Sequence, residues 1–208
     1  GLIHHIGTSE QDVGKAATLK IAELQQAAGE QLQYGLCISA AEIDAPDSRC
    51  AGVEQALMEQ GLEFIGQVTV PIEAESVEYR KIVEAFVSAW ADKHSINLSS
   101  EWAEIGIVAA ASPQDIPLIQ LQAYHPKAIA VSFDVSEILY EAIGAGVKQI
   151  GAEADSFVEG YIGVSLLVLE TISGQRISTR AIESGPIIVE AIPSQEQIAR
   201  EKVIHEIC

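Results

Sequence analysis

Basic residues are scarce in this sequence. Its 208 residues contain 12 Lys and Arg against 30 Asp and Glu, which gives a formal net charge of −18. A surface of that sign repels nucleic-acid phosphates and anionic membranes, so we expect no nucleic acid to bind through this chain. The acidic residues are dispersed rather than gathered in one block, which favours solubility over recognition of a cationic partner as their role.

Long apolar runs and a targeting pattern are also missing. The longest apolar stretches, such as Gly160–Leu169, fall well short of the roughly 18 residues that suggest a membrane span. Residues Gly1–Gly7 show no basic segment followed by an apolar one, so a signal peptide is expected to be absent or already removed. The compartment stays open: periplasmic for a transporter component, cytoplasmic for a regulator domain or an unexported homologue.

Cysteine is rare, and the motifs of common enzyme sites do not occur. Cys37, Cys50 and Cys208 stand at no metal-like spacing, and their odd number argues against a disulfide framework. The adjacent His4 and His5 would point to opposite faces of a strand, which does not suit joint metal binding. Phosphate-binding glycine loops, zinc-protease histidine pairs and the serine nucleophile motif are absent. We therefore predict no metal, no cofactor and no enzymatic activity.

The sequence does contain a regular alternation of short apolar runs with amphipathic stretches. This alternation is typical of βα units and predicts the α/β class, with a mostly parallel sheet flanked by helices. Strands are predicted at Leu2–Ile6, Leu32–Ser39, Leu62–Val70, Ile105–Ala110, Ala128–Phe133, Val147–Ala152 and Pro186–Ile192. Helices are predicted after a cap at Ser9, and at Asp47–Gln60, Glu75–Lys93, Gln114–Tyr124, Ser136–Ala145, Ser156–Ser173 and Ser194–Ile207.

Five segments along this alternation share their order and spacing with one known family. They are H-I-G followed by V-G-K-A-A near the start, R-C-A-G-V-E-Q-A-L at Arg49–Leu57, F-D with A-I-G-A-G in Phe133–Gly146, S-F-V-E-G-Y at Ser156–Tyr161, and S-G-P-I-I-V at Ser184–Val189. Together they resemble the second half of the type I periplasmic sugar-binding proteins and of the related effector domains of sugar-responsive repressors. The resemblance spans Leu2 to Val189.

The resemblance implies a periplasmic-binding-protein-like fold, here in part. Members have two similar lobes joined by three crossing strands, and ligand binds between the lobes as they close about a hinge. On this pattern, residues 1–153 form a domain like the C-terminal lobe, residues 154–192 return to the N-terminal lobe and hinge, and residues 193–208 form a tail helix. Because the opening βα units of the first lobe are missing here, the helix at 156–173 is expected to bury its apolar stripe against its own lobe, a missing lobe or a second copy in a homodimer.

The main candidate ligand residues follow predicted strands, because the carboxyl ends of strands face the ligand crevice in open α/β sheets. Asp134 matches the family's F-D aspartate, and its carboxylate can accept hydrogen bonds from adjacent sugar hydroxyls. Its alternative role is to cap the next helix, which Ser136 can do instead. Arg49 and Asp47 stand where the family places polar ligand contacts. The alternative for this pair is an N-cap at Asp47 with Arg49 solvated or ion-paired.

Three further residues complete the candidate set. Ser112 follows a predicted strand at a position where the family often has a polar residue such as Asn. Glu153 and Asp155 flank the place of a common Gln. The aromatic residues that stack on sugars in this family come largely from the first lobe, so this chain alone is expected to bind sugar weakly.

The predicted function is therefore a non-catalytic module that binds a small molecule, expected to be a carbohydrate, with a membrane permease as a further partner if the chain serves a transporter. Two alternatives stay open. One is the effector-binding and dimerisation domain of a transcriptional regulator. The other is a cysteine-dependent hydrolase, since a helix N-terminus near Cys50 would favour its thiolate. A packing role for Cys50 is the interpretation that we favour.

Overall fold

Strands and helices alternate in the computed structural model, which describes residues 5–41, 45–110, 114–133, 135–147, 149–153, 156–175 and 181–189. The strands are β1 (His5–Gly7), β2 (Tyr34–Ala40), β3 (Glu63–Val70), β4 (Ile105–Ala109), β5 (Ile129–Phe133), β6 (Gln149–Glu153), β7 (Ala181–Glu183) and β8 (Ile187–Val189). The helices are α1 (Glu10–Ala27), α2 (Ala45–Glu59), α3 (Ser76–His94), α4 (Asp115–Tyr124), α5 (Glu137–Gly144) and α6 (Ser156–Ser173). The tail helix predicted at 194–207 lies outside the described residues.

Six strands form one sheet in the order β3-β2-β4-β5-β6-β8. The first five run parallel, with Leu36 of β2 beside Ile107 of β4, and β8 is antiparallel to β6. β4 and β5 are buried along their whole length. Parallel strands covered by helices on both faces need continuous apolar side chains, which is why these two strands stand out in the sequence as short apolar runs. The predicted α/β class with a mostly parallel sheet is confirmed.

Two hydrophobic clusters lie on the two faces of this sheet. Successive side chains of β2 point to opposite faces, so Leu36 and Ile38 belong to one cluster and Cys37 to the other. α3 and α4 pack on the first face, and α1 and α2 on the second. The helix residues of the first cluster are Tyr79, Val83, Val87, Leu118 and Leu121, and those of the second include Val13, Ala17, Ile21, Val53 and Leu57.

The crossing of α1 and α2 depends on two glycines. A methyl group at Gly14 would collide with the main-chain carbonyl of Arg49, and one at Gly52 with that of Gln11. The two helix backbones therefore touch, as only residues without a Cβ allow. Lys15 of α1 also donates to Glu59 of α2 over 2.8 Å, and this hydrogen bond, with one from Gln55, lowers the pKa of the Glu59 carboxyl. The two helices are thereby in contact along α2 from Arg49 to Glu59.

β1 and β7 form a separate two-stranded parallel sheet, and α6 packs against β1. Ser184 donates to a Glu159 carboxylate oxygen over 2.7 Å and shares a hydrogen bond of 3.0 Å with Thr8. α6 also carries an apolar face that is exposed, called here the outward face of α6. It consists of Phe157, Tyr161, Val164, Leu167, Val168, Leu169 and Ile172. Neither α6 nor another helix within the described ranges is long and apolar enough to cross a membrane.

One expectation from the sequence is wrong. Cys37 of β2 and Cys50 of α2 form a disulfide, with Cα atoms 5.5 Å apart, although the odd cysteine count argues against one. Both residues are buried. They are separated by 13 positions, and the packing of α2 on the sheet brings them into contact. The sequence does not reveal this pairing, because it depends on how the helix lies on the sheet.

Candidate ligand-binding site

The carboxyl ends of β2, β4 and β5 lie side by side at one edge of the six-stranded sheet, called here the ligand edge. The winding of the chain reverses at β2, since α2 connects β2 to β3 on one face and α3 connects β3 to β4 on the other. Open α/β sheets bind their ligands at such a switch point, beside the carboxyl ends of the strands. The described side chains at the ligand edge therefore form the candidate site.

Arg49 is held at the ligand edge by three contacts. Its Nη1 donates over 2.9 Å to the carbonyl oxygen of Ala110, directly after β4, and its guanidinium carbon lies 4.4 Å from the ring centroid of Phe133, the last residue of β5. Its Nε donates to the carboxylate of Glu10 in α1. Arg49 is thus ion-paired, as the alternative to a ligand role predicted. It also lies at the strand ends, where a ligand contact is expected. Among the described residues its Nη2 meets no acceptor, so that nitrogen can donate to a ligand.

Asp47 belongs to a chain of polar side chains at the same edge. α2 begins at Ala45, so Asp47 lies in the first turn of the helix, and its alternative role as the N-cap is wrong. Its Oδ1 accepts from Gln67 Nε2 over 2.6 Å, and the same amide donates to Ser39 Oγ over 3.0 Å. Ser39 also shares a hydrogen bond of 3.0 Å with Thr69. These contacts connect α2 to the ends of β2 and β3.

Four residues of the ligand edge are not predicted by the sequence: Glu10, Ser39, Gln67 and Gln114. Gln114 precedes α4, is 2% exposed, and donates over 3.4 Å to the carbonyl oxygen of Ser39. Burying an amide costs free energy unless it is hydrogen-bonded. A glutamine between a predicted strand and a predicted helix therefore indicates a polar contact at the end of the strand, and the sequence offered this signal for Gln114. Glu10 gives no such signal, because its partner is 39 positions away.

Three predicted site residues, Asp134, Ser112 and Asp155, lie outside the described residues and stay predictions. Their positions in the chain still relate them to the ligand edge. Asp134 directly follows Phe133, the end of β5, and Asp155 comes two residues after Glu153, the end of β6. Glu153 itself is partly buried and lies opposite Ile187 of β8.

Ser136 caps α5, as the sequence predicts. Its Oγ accepts from the main-chain nitrogen of Leu139 over 3.1 Å. Such a side-chain acceptor satisfies one of the unpaired main-chain N–H groups at the start of a helix. Capping of α5 therefore does not require Asp134, and the main structural alternative to a ligand role for that residue is weakened.

The described side chains of the ligand edge can form hydrogen bonds with a ligand. Cys50, next to Arg49, is bonded to Cys37 and so offers no thiolate to the hydrolase alternative. Within the described ranges no group of three or more His, Cys, Asp or Glu side chains is arranged to hold a metal ion. The edge presents a guanidinium, a carboxylate, amides and hydroxyls, which together suit a small polar ligand with several hydroxyl groups.

The fold matches solved structures of solute-binding proteins. No protein-family model and no curated protein matches the sequence. A carbohydrate transporter solute-binding protein from Agrobacterium radiobacter, in complex with D-arabinose, has a TM-score of 0.69 at 15% identity, over 95% of this chain and 65% of that one. A periplasmic ribose ABC transporter protein from Conexibacter woesei has a TM-score of 0.70 at 16% identity, over 98% and 63%. A carbohydrate transporter from Acidothermus cellulolyticus, in complex with myo-inositol, has a TM-score of 0.64 at 22% identity, over 98% of this chain and 64% of that one.

These likenesses establish the fold and its extent. The periplasmic-binding-protein-like fold that the sequence resemblance implied is confirmed in partial form. The chain spans less than two thirds of the length of each of these proteins, between 63% and 65%. About a third of each neighbour therefore has no counterpart here.

Proposed function

We propose that this chain is a non-catalytic module that binds a small polyhydroxylated molecule, a monosaccharide or a cyclitol, at the ligand edge. The observation that carries the proposal is the position of Arg49, whose guanidinium is fixed at the ends of β4 and β5 and whose Nη2 meets no acceptor among the described residues. The chain shares its fold with structures described as complexes with D-arabinose and myo-inositol, and this similarity supports the same class of ligand here.

A neutral polyol suits the ligand edge better than an anion. A fixed guanidinium can donate to the oxygens of adjacent hydroxyls, and carboxylates can accept from the same groups. Glu10 already compensates the charge of Arg49, and the net charge of −18 repels phosphates and carboxylates. In this proposal Asp134, which directly follows β5 in the chain, is the principal acceptor. The remaining contacts come from Asp47, Ser112, Glu153 and Asp155.

The role that fits such a module is that of a solute-binding component, with a membrane permease as its partner and the periplasm as its compartment. The solved neighbours are described as transporter proteins, which supports this role. Neither alternative gains support from an observation of the described residues. The hydrolase lacks its nucleophile because Cys50 is in a disulfide, and nothing at the ligand edge favours a regulator over a transporter.

We further propose that a second lobe covers the outward face of α6. Isolated two-stranded sheets are marginal in water, and β1 and β7 form one that carries a helix with an exposed apolar face. About a third of each neighbour's chain is not matched here, which is enough for such a lobe. The proposed occupant is a set of βα units that extends the two-stranded sheet and packs on α6.

The carbohydrate proposal is tested by titration calorimetry of the chain with D-arabinose, D-ribose and myo-inositol. We expect weak binding of at least one, since half of the cleft is present. Arg49→Ala should weaken it about tenfold or more, because a hydrogen bond to a charged group contributes about 1.5–3 kcal/mol.

Arg80→Ala is the matched control for Arg49→Ala. Arg80 is also ion-paired, with Glu84 at 3.0 Å, and its guanidinium carbon lies 4.1 Å from the ring centroid of Tyr124, but α3 lies on the other face of the sheet. The control should bind as the wild type does. Equal affinities for the two variants would exclude Arg49 from the site, and tight binding by the chain alone would contradict the half-cleft proposal.

A further inference from the structure

The disulfide joins β2 to α2 next to the residues of the ligand edge that α2 carries. Cys37 is the fourth residue of β2, the strand at which the winding reverses, and Cys50 is the sixth residue of α2. Their side chains are 0% and 2% exposed. The bond therefore fastens the N-terminal turns of α2 to the central part of the sheet, from the inside.

The closed loop contains the described part of the site that α2 contributes. Asp47 and Arg49 both lie between Cys37 and Cys50, and Arg49 is the immediate neighbour of Cys50. Arg49 reaches from there to Ala110 and Phe133. A shift of the first turns of α2 would move the guanidinium away from both, since a side chain follows its own backbone.

We propose that the Cys37–Cys50 disulfide is a permanent structural link that positions Arg49 at the ends of β4 and β5. The two thiols lose two protons and two electrons, and a disulfide-exchange partner such as oxidised glutathione takes up both and becomes two thiols. Burial then shields the sulfurs from solvent thiols, so the bond forms during folding and persists. Such bonds are typical of oxidising compartments, which is where this chain is expected to fold.

The crossing of α1 and α2 separates this role from general stability. The close contact of Gly52 with Gln11 and the hydrogen bond from Lys15 to Glu59 hold the middle and the end of α2 on α1 whether or not the disulfide is present. At the start of α2, Arg49 also touches Gly14, but the link to the sheet there is the disulfide. Loss of the bond is therefore expected to loosen residues 45–50 more than residues 53–59. A bond that served only overall stability would affect both segments equally.

The test compares oxidised protein with protein refolded in excess reductant, both carrying Cys208→Ser so that no other thiol is present. Hydrogen exchange followed by mass spectrometry should show peptides covering residues 45–50, in which the helical hydrogen bonds begin at Arg49, exchanging about tenfold faster after reduction, with 53–59 and β4 unchanged. A Cys37→Val, Cys50→Ala variant, which keeps both positions apolar, should give the same pattern in oxidising buffer.

Two results would overturn the proposal. One is the finding of two free thiols in the oxidised protein by alkylation and mass analysis. The other is equal exchange of residues 45–50 in the oxidised, reduced and double-variant proteins. The readout needs no ligand, so protein that shows the expected exchange but binds no sugar would contradict the carbohydrate proposal and leave this one standing.

Discussion

Tyr79 contributes to the hydrophobic core through its aromatic ring rather than through its hydroxyl. Its hydroxyl is buried and has no hydrogen-bond partner among the described residues. Burial, and to a smaller extent the carboxylate of Asp115, raises the pKa of Tyr79 far above its usual range. The phenol therefore stays neutral throughout the pH range of the folded protein, and the hydroxyl adds a desolvation cost without a compensating bond.

Tyr79→Phe keeps the ring and removes the hydroxyl, so the free energy of unfolding at pH 7 should be unchanged or raised by up to about 1 kcal/mol. Because the pKa is raised in the folded state, wild-type stability is lost as pH rises past the usual tyrosine pKa of about 10. The variant should lose less over that range. Urea denaturation at pH 7 and at alkaline pH measures both effects, with Tyr34→Phe as control. A clear destabilisation at pH 7 would show that the hydroxyl has a partner.

The sequence predicts part of the ligand edge for a physical reason. Residues that follow apolar strands must lie at one edge of a parallel sheet, which is how Asp134 is predicted, whereas Arg49 and Asp47 are predicted from the family resemblance. Glu10 and Gln67 are not reached in this way, because their partners are fixed by how α1, α2 and β3 pack. The same is true of the Cys37–Cys50 pair. Contacts between elements are what a single sequence leaves open.

Among the helices, α1 and α2 form the most demanding contact. Gly14→Ala should lower the free energy of unfolding by about 1–3 kcal/mol, since its Cβ meets the carbonyl of Arg49 and the backbones must separate. Gly160→Ala is the control, because a Cβ there meets no described atom within 4 Å and alanine favours the helix by up to about 1 kcal/mol. Chemical denaturation compares the two. If both substitutions have the same effect, the helices are not in backbone contact.

At the scale of elements, most strands and helices can be predicted because their burial imposes a period on the sequence. β4 and β5 are short apolar runs, and Ser9 marks the start of α1 by accepting from the main-chain nitrogen of Asp12 over 3.3 Å. β7 is not predicted. It has three residues, which are too few to show an alternation of apolar and polar side chains. Its strand conformation depends on its pairing with β1.

For the molecule as a whole, the outward face of α6 is where the proposed second lobe is tested. The chain alone should be monomeric in sedimentation and should bind a hydrophobic dye. Val164→Glu with Val168→Glu should abolish most of that dye binding, because both side chains lie in the exposed apolar face. Val77→Glu, at an exposed valine of α3, is the control and should change little.

A different result would assign this face to another occupant. If the chain sediments as a homodimer that Val164→Glu with Val168→Glu separates, a second copy covers α6 and the lobe proposal is wrong. If the double variant binds dye as the wild type does, the face is not open in solution.

The hydroxyl pair of Thr8 and Ser184 has a mechanical consequence. Thr8 lies between β1 and α1, Ser184 lies between β7 and β8, and the pair bridges these two segments over 3.0 Å. The two strands of the small sheet are therefore tied together at the point where the chain leaves each of them, so one exit cannot shift without stretching the bridge to the other.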